Sequence, residues 1–113
     1  MDATKAATPC GLIAKSLFND TFQIVYSKTK EGLATSKDFI QVSHDDIAWA
    51  SDVKYKFFNS DTDEKVWKAN QWLDMTSQHF IVWMRTAGLP NFRKLWGSMS
   101  NVKAGHYQIR VNN

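Results

Sequence analysis

Phe80-Ile81-Val82-Trp83-Met84-Arg85 is the stretch on which the fold turns. Residues 80–84 form the longest unbroken apolar run in the chain, five residues. β-Branched and aromatic side chains favour extended backbone, and a run that is apolar at every position has no face for water. The segment is therefore expected to be a central strand buried on both sides. A membrane-crossing helix needs about 20 apolar residues, so this run is too short to span a bilayer. Arg85 is the odd member. A buried guanidinium needs a carboxylate or several carbonyls, whereas one at a strand end reaches water. Both readings of Arg85 stay open.

Working outward, the flanking segments read as short elements of mixed type. Downstream, Pro90 suits a first helical position, with Phe92, Leu95 and Trp96 on one face and Arg93 and Lys94 turned away. Gly97 then stops that helix. Leu89 is a poor cap for its start. Tyr107, Ile109 and Val111 alternate in a last strand. Upstream, Val53-Lys54-Tyr55-Lys56-Phe57 alternates apolar and charged residues, which predicts a half-buried strand. Residues 59–65 read as a charged loop, and residues 66–73 fit either helix or irregular chain. Residues 39–42 are a short strand, and residues 27–32 a polar turn. Residues 21–26 make another strand, with Phe22, Ile24 and Tyr26 on one face. Thr8-Pro9 starts a helix in which Ile13 with Leu17 and Ala14 with Phe18 form a stripe, ending at Asn19-Asp20. The expected fold class is mainly β with a minor α+β character: an antiparallel sandwich-like fragment with two or three short helices.

Composition bounds the function. The chain has 113 residues, enough for one small core, and no Gly/Ser linker divides it, so residues 1–113 are read as one unit. Hydrophobic residues make up 43% and charged residues 22%, which is a globular rather than a disordered balance. A net charge of +3 permits an acidic partner without demanding one. The opening Met1-Asp2-Ala3-Thr4-Lys5 carries no apolar leader stretch. One cysteine, Cys10, excludes an internal disulfide.

Catalytic signatures are missing. His44, His79 and His106 have no metal-ligand spacing, so no metal is expected. Asp61-Thr62-Asp63-Glu64 resembles the opening of a calcium loop, but Val66 stands where that loop needs glycine. No phosphate-binding glycine loop, dinucleotide fingerprint or nucleophile elbow occurs, so neither a cofactor nor a catalytic residue is expected. Cys10 could act as a nucleophile only through a helix N-terminus, and a bland thiol is the simpler reading. Lys54, Lys56, Arg85, Arg93 and Lys94 lie near Tyr55, Trp83 and Phe92, a mixture that can grip single-stranded nucleic acid. Each of these aromatic residues also falls on an apolar stripe, which favours a core role and no nucleic-acid partner. The five tryptophans and seven phenylalanines raise a sugar-stacking alternative on the same terms. Asn19-Asp20-Thr21 is an N-glycosylation sequon at an accessible turn.

Three segments resemble one family. The first is Pro9-Cys10-Gly11-Leu12-Ile13-Ala14-Lys15-Ser16-Leu17-Phe18-Asn19-Asp20-Thr21-Phe22. The longest runs from Phe80 to Gly97 and contains Arg85-Thr86-Ala87-Gly88-Leu89-Pro90-Asn91-Phe92-Arg93-Lys94-Leu95-Trp96. A weaker block lies between them: Ile47-Ala48-Trp49, then Ser51-Asp52 and Lys56-Phe57. Together they are similar to the cell-division-control-protein-50 or ligand-effect-modulator family. Lys15, Asp46, Gly88 and Trp96 depart from its usual residues, which bears on local packing only.

The resemblance implies a non-catalytic accessory subunit of a type-IV P-type ATPase that flips phospholipids. Such a subunit supports the ATPase's folding, its export from the endoplasmic reticulum and its lipid flipping. The segment would lie on the lumenal or extracellular side of a secretory-pathway membrane: endoplasmic reticulum, Golgi, endosome or plasma membrane. Anchoring would fall to flanking transmembrane helices that this chain lacks. Asn19 would carry a glycan, and Cys10 would pair with a cysteine outside the chain. Trp83 and Met84 are expected in the sheet core, with Phe92 and Trp96 pinning the short helix to it. Arg93 and Lys94 are the expected partner-facing charges. A sandwich cut short exposes strand edges, so the isolated fragment is expected to dimerise by edge pairing. The alternative from another class is a small β-sandwich module that binds a sugar or a lipid headgroup.

Overall fold

The computed structural model describes residues 7–113. The opening residues 1–5, read above as lacking a leader, lie outside them. The described residues gather into two compact units: residues 7–17 with Asp45–Trp96, and Phe18–His44 with Gly97–Asn113. The first is helical and the second is a sheet.

The sheet unit follows its sequence closely. Strand β1 (Thr21–Ser27) sits in the middle, flanked by β2 (Phe39–Ile40) and β3 (His106–Asn112), in the order β2-β1-β3. Both pairings are antiparallel, with Ile24 opposite Ile109 on one side and Ile40 on the other. Val25 is fully buried and centres this unit. The rings of Tyr26 and Tyr107, which are register partners, lie 5.2 Å apart. Tyr26 Oη also donates to the Ala104 carbonyl at 3.1 Å. A Cβ at Gly105 would stand 2.4 Å from Tyr26 Cε2, so glycine is what lets this turn close on the ring. Arg110 reaches from β3 to the carbonyls of Leu33 (3.3 Å) and Ser36 (3.4 Å), beside a 3-10 turn at Glu31–Leu33. Ile109 and Val111 remain 63% and 58% exposed.

The helical unit departs from expectation. It holds α1 (Leu12–Lys15), α2 (Ala50–Tyr55), α3 (Glu64–Asn70) and α4 (Gln78–Met84). With four helices and three strands among the described residues, the fold is mixed α+β rather than mainly β, and no second sheet among them completes a sandwich.

Residues 80–85 are not a strand. Residues 80–84 complete α4, and Arg85 is its C-cap. A five-residue apolar run reads equally as strand or helix. Ser77 occupies the N-cap position just before it, and its backbone carbonyl accepts the Ile81 amide at 3.0 Å as the first bond of the helix. Phe80 and Ile81 turn inward to be 2% and 1% exposed, and the Phe80 ring meets Phe57 edge-on at 5.9 Å.

Residues 53–57 are not a strand either, because residues 53–55 belong to α2. Val53 and Phe57 are also i, i+4 on a helix, and Asp52 pairs with Lys56 at that same spacing. Tyr55 is 65% exposed, contrary to the alternation.

No helix follows Pro90; residues 90–96 form bends and irregular chain. The residue before proline disfavours helix, and Leu89 offers no side-chain oxygen for a cap. Helix α1 starts at Leu12, later than Thr8-Pro9 suggested, and of its stripe only Ala14 is buried.

The ambiguous residues 66–73 resolve as helix through Asn70. Asp63 caps α3 by accepting the Lys65 amide at 2.9 Å. Beyond α3, Gln71 is 6% exposed and is satisfied within a polar network. Its Nε2 donates to Asn59 Oδ1 at 2.9 Å and to the Leu73 carbonyl at 3.1 Å, while its Oε1 accepts the Ser60 amide. Asn59 in turn donates to Asp74 Oδ1 at 2.9 Å. This network fixes the loops on either side of α3, and with them the approach to α4.

Candidate functional site

The helical unit carries an open cleft of about 520 Å³, formed by the α2 start, the α4 end and the loop at residues 85–95. Its geometry begins with Asp52. Placed in the first turn of α2, this carboxylate favours the positive end of the helix. It is 4% exposed, so it requires partners. Lys56 Nζ lies 2.9 Å from Oδ1, and Arg85 Nη1 donates to Oδ2 at 2.7 Å. The hydrogen bond from Lys56 and the nearby Arg85 charge hold the Asp52 carboxyl below the usual carboxylate value, against the opposing pull of burial. The Arg85 guanidinium also lies over the Trp49 ring, with Cζ 3.2 Å from its centroid. The open question about Arg85 is thus answered: it pairs with a buried carboxylate from a helix end, its side chain still 40% exposed.

Lys94 closes the other side. The last carbonyls of a helix have no partner inside it, and the last turn of α4 has no basic residue of its own. Lys94 Nζ supplies the donors, reaching the carbonyls of Val82 at 3.0 Å, Trp83 at 2.9 Å and Arg85. An ammonium has three donors, so all are spent. Burial, then the charge of Arg85, lowers the Lys94 pKa from its ordinary value. Lys94 is therefore half-buried and structural, not a charge projecting from a helix face. Its neighbour Arg93 is exposed and has no ion-pair partner among the described residues.

The remaining sequence-derived residues are distributed as follows. Trp83 and Met84 are half-buried in α4, not in a sheet core. Trp83 Nε1 donates to the Ile13 carbonyl at 2.9 Å, which ties α4 to α1. Phe92 is 54% exposed and outside the core, because the helix expected to seat it does not form. Trp96 is half-buried in irregular chain, its ring 5.7 Å from that of His79. Cys10 is an exposed free thiol beside Leu12 and Trp72. Asn19 is exposed in the coil between α1 and β1. No group of side chains able to hold a metal ion occurs among the described residues.

Sequence reasoning missed Asp52 and Trp49 as site residues. Two signals pointed at Asp52: an arginine that needed a carboxylate, and a lysine four residues after that aspartate.

Comparison with known proteins gives a consistent picture. The family model described as "LEM3 (ligand-effect modulator 3) family / CDC50 family" matches residues 1–113. The chain is 39% identical to ALA-interacting subunit 3 of Arabidopsis thaliana, over 93% of this chain and 31% of that protein. It is 35% identical to Cell cycle control protein 50A of Bos taurus, over 95% of this chain and 36% of that protein. It is 34% identical to Phospholipid-transporting ATPase accessory subunit CRF1 of Saccharomyces cerevisiae, over 80% of this chain and 25% of that protein. The chain thus spans between 25% and 36% of the length of these relatives. With the family model matched across its whole length, the chain belongs to the LEM3/CDC50 family.

Proposed function

We propose that this chain is part of a non-catalytic accessory subunit of a phospholipid-transporting type-IV P-type ATPase. The observation that carries this reading is the match to a yeast protein named as such an accessory subunit, over 80% of this chain. The Arabidopsis relative, named as an interacting subunit, supports a binding role as well. Asp52, the one buried carboxylate among the described residues, is engaged by two cations and has its pKa lowered, which makes it a weak proton acceptor.

In this reading residues 1–113 belong to an exoplasmic domain of a secretory-pathway membrane protein, attached through flanking helices. No helix among the described residues is long and apolar enough to cross a membrane. The exposed sequon at Asn19 supports a lumenal or extracellular face, and the exposed Cys10 thiol is accessible to a cysteine elsewhere in the polypeptide. The subunit aids the folding, export and lipid transport of the ATPase. The sugar- or headgroup-binding alternative draws less support, since Arg85 already covers one face of the exposed Trp49 ring.

Of the two candidate interface charges, Arg93 is assigned to the partner and Lys94 to the end of α4. Co-purification of the catalytic subunit with the polypeptide carrying this chain is the test. Recovery is expected with the unaltered chain and is reduced by Arg93→Glu at unchanged folded yield. No recovery with the unaltered chain would overturn the reading.

A further inference from the structure

We propose that the cleft between α2, α4 and the loop at residues 85–95 receives a polypeptide segment of the partner in which a carboxylate lies next to apolar side chains. This rests on the accessory-subunit reading and adds the chemistry of the contact.

Charge is the first argument. Arg85, Arg93 and Lys94 line the cleft against the single carboxylate of Asp52. Asp52 is already paired with Arg85 and with Lys56, and neither Arg93 nor Lys94 has an ion-pair partner among the described residues. The cleft therefore holds a positive surplus that an anion would complement.

The donors then divide the work. Lys94 spends its three donors on the carbonyls of Val82, Trp83 and Arg85. It contributes charge without a direct contact. Arg93 keeps a planar fork suited to bidentate binding of a carboxylate.

The walls argue for a polypeptide. Trp49, Leu89, Phe92 and Leu95 line the cleft while 63%, 72%, 54% and 53% exposed. Tryptophan and arginine at a concave apolar site are the residue types on which binding energy concentrates. A volume of about 520 Å³ accepts a few side chains, whereas a bilayer presents a flat surface. The site is also held ready, because Arg85 is fixed on Asp52 and Trp49 before any partner arrives.

The test places the photo-crosslinking residue p-benzoylphenylalanine at Leu95 in the polypeptide co-expressed with the catalytic subunit. After irradiation, adducts are mapped by mass spectrometry. The expected adduct lies on a segment of the catalytic subunit, not of the cross-linker's own polypeptide, with Asp or Glu close by in sequence. Changing that acid to Lys should reduce co-purification roughly tenfold, and Arg93→Glu in the same pair should restore it. Intact co-purification with adducts only on lipid, or on a segment without a nearby acid, would overturn the proposal while leaving the accessory-subunit reading standing. Absence of co-purification in the unaltered pair would overturn that reading and this proposal together.

Discussion

Arg85 Nη1 lies 2.7 Å from Asp52 Oδ2, so the residue that ends α4 is fastened to the first turn of α2. The pair closes one side of the cleft, and the guanidinium stacks on Trp49 at the rim. Asp52 is buried and Arg85 is partly exposed, so breaking the pair leaves a desolvated carboxylate with Lys56 as its remaining partner.

That carboxylate sets an acid dependence. The pKa of Asp52 is lowered from 3.8 by the Lys56 hydrogen bond and the Arg85 charge. Asp74 is lowered too: burial pushes it up, but hydrogen bonds from Thr76 and Asn59 outweigh that. Both groups bind protons more weakly in the fold than in the unfolded chain. Their stabilisation is therefore complete above 3.8 and is lost as pH falls through the folded values. The urea midpoint is expected to hold at neutral pH and drop on the acid side. Asp52→Asn should lower the neutral midpoint and flatten the acid drop; an unchanged acid profile would speak against the pair.

Lys94→Met removes the three donors that finish α4. The cost expected for the lost capping bonds is about 1–2 kcal/mol. Amide exchange should accelerate within α4, while the sheet unit serves as the internal control. Protection equal to that of the unaltered chain would show that the lysine is not a cap.

Phe80→Ala empties the centre of the helical unit, where Phe80 is 2% exposed against the edge of Phe57. A loss of about 3 kcal/mol in denaturant unfolding is expected. Backbone chemical shifts across Gln78–Met84 should be helical, and extended shifts there would contradict the fold.

For the isolated chain we propose self-association through β3. It is an edge strand in the order β2-β1-β3, and Ile109 and Val111 are exposed along it. Unpaired edges template pairing with another copy. Light scattering over a concentration series should show growth of a dimer, suppressed by Ile109→Lys. A monomer at every concentration would reject the edge as a contact.

How far the sequence could be read depended on the element. β1 and β3 were legible because Phe22, Ile24, Tyr26 and Tyr107, Ile109, Val111 alternate over a full strand length, whereas their antiparallel pairing with each other came from the structure alone. The helical unit was not. Residues 80–84 and 53–57 are five-residue windows in which strand and helix patterns overlap, and the deciding contacts are non-local. Asp52 seeks Arg85 across 33 positions, and Lys94 seeks the carbonyls of Val82 and Trp83. Arg93 and Lys94 were both expected to face a partner, and the contacts of Lys94 with the end of α4 depend on a loop path that a helix expected after Pro90 concealed. The resemblance to the family rested on contiguous motifs and was unaffected by these errors.

The most direct test of the central claim is lipid transport itself. In cells depleted of the polypeptide that carries this chain, inward movement of a fluorescent phospholipid by the partner ATPase should fall to background. It should return on re-expression of the unaltered polypeptide, but poorly with Arg93→Glu. Transport that continues undiminished after depletion would contradict the account.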